Sequence, residues 1–227
     1  MKKAPILVMP LLFFAVLNLA GPAASIAGPR EEAFIMAARE ARVKGDLDKA
    51  LELYSHAIVS PELDKEGLAS ALVERGIIYR VKGMHDLAVY DYTRAIELKP
   101  DCAQAYSNRG LAHAKSGRYG SAIGDFTRSL ELEPGNAMTY LKRGNAYFDG
   151  GDLDRGIADW SKAIVIKPDL MRAYYNRCDA YDRKGMRESA VADCRRALEL
   201  EPDFQPARAA LEWLTGPRKG ERPPFSN

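Results

Sequence analysis

Three sets of residues recur at one constant interval, 34 positions. Gly76, Gly110, Gly144 and Cys178 form the first set; Gly83, Gly117, Gly151 and Gly185 the second; Pro100, Pro134, Pro168 and Pro202 the third. A fixed period of this length means the chain is assembled from copies of one supersecondary unit, each burying its apolar face only against its neighbours. A single closed core is thereby excluded. Five such units make one elongated domain instead.

Counting each unit from Ala69, Ala103, Ala137 and Met171 brings further columns into register. Position 4 is large (Leu72, Tyr106, Tyr140, Tyr174) and position 20 small (Ala88, Ala122, Gly156, Ala190). Position 24 carries Tyr92, Phe126, Trp160 and Cys194, and position 27 is small again (Ala95, Ser129, Ala163, Ala197). An earlier unit begins near Glu31, but Gly45 to Gly83 is 38 residues, four too many. The excess fits in Ser60 to Gly67 and reads as a lengthened connection.

Within the unit that starts at Ala137, Tyr140, Leu141, Ala146, Tyr147 and Phe148 fall on one side of a helix reaching about Asp149. Gly150 and Gly151 end it, and Asp152 can cap a second helix. That helix turns Ile157, Trp160, Ala163 and Ile164 inward until Pro168 stops it. Each unit is therefore expected to be helix, turn, helix, with Gly144 facing Gly156 where the helices approach most closely.

A 34-residue period with a small residue early, an Ala in the second half and a closing Pro resembles the tetratricopeptide repeat, over roughly residues 31 to 204. The resemblance implies an all-α, right-handed α-solenoid of about five units, near 31–68, 69–102, 103–136, 137–170 and 171–204. A capping helix over 205–215 would close residues 28–216, with Trp213 and Leu214 packing back on the last unit. It also implies a concave wall built from the first helix of each unit, where such proteins take up extended peptides or partner helices. In this chain the wall would present Asn108, Leu111 and Lys115, then Lys142, Asn145 and Phe148, then Tyr175, Asn176, Asp179 and Arg183. Asn108, Asn145 and Asn176 can each donate to and accept from a peptide backbone. A subclass of the family clamps a terminal carboxylate, but it would need polar residues where Val73 and Ile77 stand. An apolar anchor near Ile77, Leu111 and Phe148 is expected instead.

Two charged columns share the period: Arg75, Arg109, Arg143 and Arg177 at position 7, and Asp91, Asp125, Asp159 and Asp193 at position 23. Opposite charges on adjacent antiparallel helices predict a ladder of ion pairs, within units or between them.

The ends differ from the array. Lys2 and Lys3, an apolar run from Ile6 to Leu17 and small residues up to Ala27 have the pattern of a secretory signal peptide over 1–27. The stretch is shorter than the ~20 residues a membrane span needs, so no stable span is expected after cleavage. The mature chain would then reside in a bacterial periplasm or outside the cell. Residues 217–227, rich in Pro and Gly, read as a flexible tail. Removing 1–27 takes away two Lys and no acid, so the 33 basic residues become 31 against 31 acidic. A neutral chain has no global field for gathering phosphates, which argues against nucleic acid as a partner.

Nothing here has the makings of catalysis. His56, His85 and His113 occupy three different repeat positions without partners at ligand or triad spacing, and no nucleophile has a positioned base. No metal, cofactor or small-molecule substrate is expected. Cys178 and Cys194 sit at matching heights on facing helices, so they read either as a disulfide, which export would permit, or as two buried free thiols. An exposed, reactive pair would suit a thiol-linked maturation or redox accessory. The primary expectation is a non-enzymatic scaffold of the cell envelope that holds a peptide segment or helix of a protein partner in its groove.

Overall fold

The computed structural model describes residues 29–216. Eleven helices and no strand occur among them. The first six are α1 (Pro29–Val43), α2 (Leu47–Val59), α3 (Lys65–Val81), α4 (His85–Leu98), α5 (Ala103–Lys115) and α6 (Tyr119–Leu132). The rest are α7 (Ala137–Asp149), α8 (Leu153–Ile166), α9 (Met171–Arg183), α10 (Arg187–Leu200) and α11 (Gln205–Thr215). Odd and even helices pair as antiparallel hairpins, and each hairpin packs on the next. The signal-peptide and tail readings fall outside the described residues.

The hairpin α7–α8 shows how the sequence builds the unit. Asn136 caps α7 by accepting from the Thr139 amide. Gly151, at φ +90°, then reverses the chain in a conformation that L side chains rarely adopt. Asp152 accepts from the Arg155 amide and starts α8. The two helices touch at glycine: a Cβ on Gly144 would stand 2.7 Å from Trp160 Nε1 and 3.2 Å from the Gly156 carbonyl oxygen. The indole occupies the space that the missing side chain leaves, which is why Trp160 is 1% exposed.

The charged columns form the expected ladder, and it joins three helices at each rung. Arg143 donates to both carboxylate oxygens of Asp159 at 2.7 and 2.8 Å, and its remaining nitrogen donates to Thr127 of the preceding hairpin at 3.0 Å. Arg75, Arg109 and Arg177 repeat the arrangement with Asp91 and Ser55, Asp125 and Thr93, and Asp193 and Ser161. Tyrosine rings flank the guanidiniums, Tyr140 and Tyr147 in the case of Arg143. A planar, bidentate donor suits this position in a way a point charge would not.

The four surplus residues near the first unit are not a longer loop. They form one additional turn at the start of α3, which is 17 residues long against 13 for α5, α7 and α9. Four residues close to 3.6 add a turn without rotating the apolar face away from the core. Asp64 caps this turn by accepting from the Gly67 amide, and Leu63 is buried beneath it.

At the other end, α11 covers the last hairpin. Leu214 is 2% exposed, and Trp213 packs partly buried against the same cluster. Cys178 on α9 and Cys194 on α10 are disulfide-bonded with Cα atoms 5.6 Å apart, closing the alternative of two free thiols.

Candidate functional site

Neighbouring first helices touch one another, α3 with α5, α5 with α7 and α7 with α9, whereas the second helices make no comparable contact. The first helices therefore lie on the inside of the curve, and their positions 2, 5, 6, 9, 12 and 13 line its wall. This wall divides into two stretches of different character.

The stretch over α7 and α9 is internally committed. The carboxamide oxygen of Asn145 accepts from Trp160 Nε1 at 2.9 Å and from the Asn176 side-chain amide at 2.8 Å. Asp179 is buried and accepts from Arg183 at 3.1 and 3.3 Å, while the Arg183 guanidinium lies 4.2 Å from the centre of the Phe148 ring. Phe148, expected to be an open apolar anchor, is 8% exposed beneath that lid. Tyr175 is 3% exposed and meets Phe204 edge to face, placing it in the core of the last hairpin. What remains is a cavity of about 90 Å³ bordered by Lys115, Asn145, Phe148, Asp149, Tyr175 and Asn176. Burial pushes the Asp149 carboxyl above its ordinary range, against the pull of Lys115 and Arg183.

The stretch over α3, α5 and α7 is open. A cavity of about 440 Å³ is lined by Ile77, Ser107, Asn108, Met138, Thr139 and Lys142, among others. Asn108 makes no side-chain hydrogen bond to the described residues. Lys142 donates to Ser107 Oγ at 3.1 Å, and burial, helped by the nearby Arg80, pushes its ammonium below the ordinary lysine value. Leu111 and Ile77 are half-buried. Reading the sequence put Asn108, Leu111 and Lys142 on this wall but passed over Arg80. Its position in unit two, the twelfth, was the available signal.

Family models described as "TPR repeat" match residues 76–117 and 144–185, and one described as "Tetratricopeptide repeat" matches 103–136 and 172–204. A solved structure described as "Crystal structure of MamA" is 30% identical, with a TM-score of 0.67, covering 74% of this chain and 96% of its own. The chain belongs to the tetratricopeptide repeat family. A structure of MamA from Desulfovibrio magneticus, 20% identical with a TM-score of 0.71, shares the fold over 78% of this chain and 98% of its own. So does YrrB, described as a TPR protein with an unusual peptide-binding site, at 24% identity and a TM-score of 0.65, over 80% of this chain and 93% of its own. A comparison with curated protein sequences finds no match.

As a tetratricopeptide array the chain is a repeat scaffold of the protein-interaction type, and no enzyme family matches it. The disulfide cysteines and His113 have structural surroundings. Cys178 and Cys194 are both 0% exposed, so they do not form the accessible pair that thiol exchange requires. His113 accepts from Arg118 at 3.0 Å, and burial pushes its imidazole below the usual value. No group of three metal-ligating side chains converges among the described residues. No helix among them is long and apolar enough to cross a membrane.

Proposed function

We infer that this tetratricopeptide protein is a non-enzymatic scaffold of the bacterial cell envelope that holds a peptide segment or helix of a partner protein against its concave wall. Export is supported by the basic start, apolar run and small-residue end of 1–27, and by a disulfide between two core cysteines. The observation that carries the groove reading is the contrast along the wall. Over α7 and α9 the side chains of Asn145, Asn176, Asp179 and Arg183 are committed to one another and to the core; over α3, α5 and α7 an open cavity is lined by half-buried apolar groups, by Asn108 with no side-chain hydrogen bond to the described residues, and by Lys142, which donates to Ser107 Oγ. Half-buried Ile77 and Leu111 can take an apolar side chain, and Asn108 can bond a backbone with donor and acceptor together.

A photoreactive residue at Asn108, compared with one at exposed Lys162 on α8, tests this in the native envelope. The expected result is a partner captured from Asn108 and not from Lys162. Adducts from Lys162 alone would move the binding surface to the outer helices.

A further inference from the structure

We propose that the solvent face of α4 is the contact between two copies of this chain, crossed antiparallel about a two-fold axis with Leu87 and Tyr90 at its centre. The inference is independent of the groove reading, since it concerns the outside of the curve.

Of the second helices among the described residues, only α4 carries large apolar side chains at the two central positions of its outer face. Leu87 is 48% and Tyr90 59% exposed, and Met84, which precedes the helix, is exposed as well. The repeat supplies its own control at the two equivalent positions. These hold Lys49 and Glu52 on α2, Ser121 and Gly124 on α6, Arg155 and Ala158 on α8, and Ser189 and Ala192 on α10. The hairpin therefore does not require large residues there, and a leucine and a tyrosine left side by side in water gain by being covered.

Charges along the same face are left over too. Leu87, Tyr90, Arg94 and Glu97 follow one another at steps of three, four and three, the spacing of a coiled-coil seam. At the last two of these positions α6 and α10 form ion pairs within the helix, Arg128 with Glu131 and Arg196 with Glu199. Arg94 and Glu97 form none with a described residue, and the Arg94 guanidinium lies 6.0 Å from the centre of the Tyr90 ring instead.

Those charges choose the occupant and its direction. A second copy crossing parallel would set Arg94 against Arg94 and Glu97 against Glu97. Crossing antiparallel, it stacks Leu87 of each copy on Tyr90 of the other and carries Arg94 to the first turn of the opposite α4. Asp86 stands in that turn with its side chain 85% exposed. It already accepts from Arg118 at 2.9 Å, and a carboxylate has lone pairs for a second donor. The contact is thus complementary to itself, apolar at its centre and pairing opposite charges at both ends, as an isologous interface has to be. The neighbouring α6 does not hold the second copy off, because a Cβ on Gly120 or Gly124 would meet nothing within 4 Å. A strongly acidic or strongly basic partner fits less well, since the face carries both signs. Two copies joined in this way keep both concave walls open.

The test is sedimentation velocity on the mature, disulfide-bonded protein from about 1 to 200 μM. Two crossing helices bury less than the ~1,600 Å² of a standard interface, so the parent should dimerise with a Kd of about 1–100 μM. Tyr90→Ser should weaken the dimer at least about tenfold, as the loss of a central aromatic does. Arg94→Asp and Asp86→Lys should each be monomeric alone, because each sets like charges together at both ends of the contact. An equimolar mixture of the two should dimerise as the parent does, because every end then pairs opposite charges. Unchanged circular dichroism checks that the variants are folded. A parent still monomeric at the highest concentration would overturn the proposal and leave the face to a different protein. A dimer that Tyr90→Ser does not weaken would place the interface elsewhere, and a mixture that restores nothing would rule out the antiparallel two-fold contact; either result overturns the proposal.

Discussion

Individual residues in this array act mainly through what they leave room for. Gly144 is the clearest case, because its absent side chain is the seat of Trp160, whose indole is fixed in turn by donation to Asn145. Gly144→Ala should therefore destabilise by about 1–3 kcal/mol through overpacking, read as a lower urea midpoint with unchanged slope. The same substitution at solvent-facing Gly124, where a Cβ would meet nothing within 4 Å, should not destabilise. Lys142 acts in the opposite sense. Its ammonium is pushed below the ordinary lysine value, so over the window between that lowered value and 10.5 the unfolded chain binds more protons than the folded one. Stability contributed at this site then rises with pH across the window and is at its lowest below it. Lys142→Met should fold as well as the parent at pH 7 or gain about 1 kcal/mol, and the advantage should shrink as pH is raised towards 10.5. A loss at neutral pH would mean that the lysine supports the fold, which would weaken its assignment to a partner.

At the scale of helices, the period made the hairpins legible, because it reports the apolar face, the reversing glycine and the closing proline together. The bounds of α7 and the capping role of Asp152 could be read directly from residues 137 to 152. What the count could not decide was the form of the four surplus residues. A loop and a helical turn absorb four residues equally well, and only the cap at Asp64 and the burial of Leu63 choose the turn. The wall was legible as a list of positions but not as a set of available groups. Asn145 and Asn176 are 31 residues apart, and whether their side chains reach each other depends on how tightly α7 and α9 approach on the inner curve. The hydroxyl column of Ser55, Thr93, Thr127 and Ser161 went unnoticed for the same reason. It ties each arginine to the preceding hairpin, and it stops at Arg195, where the next helix offers Leu211 in place of an arginine.

Across the whole molecule these rungs and caps set where the array opens first. In a solenoid each unit is stabilised by its own hairpin and its two interfaces, so the ends are weakest unless something compensates. The first hairpin has no rung of its own, with Ala37 and Leu53 at the charged positions; the ladder reaches it through the Arg75–Ser55 bond, beside the more exposed ion pairs Arg42–Glu74 and Lys82–Asp48. The last hairpin has both a rung and a disulfide, whose 16-residue separation contributes about 3 kcal/mol in the chain-entropy account. Native-state hydrogen exchange should accordingly find the lowest protection in α1 and α2, rising through α5 and α7, with α9 and α10 retaining high protection despite their place at the end. Reduction of the disulfide should bring the exchange of α9, α10 and α11 down to or below that of α1 and α2, with little change in α5. If protection at the C-terminal end were the same with and without reductant, the rung and the cap would be holding that end by themselves and the disulfide would be adding nothing to the order of opening.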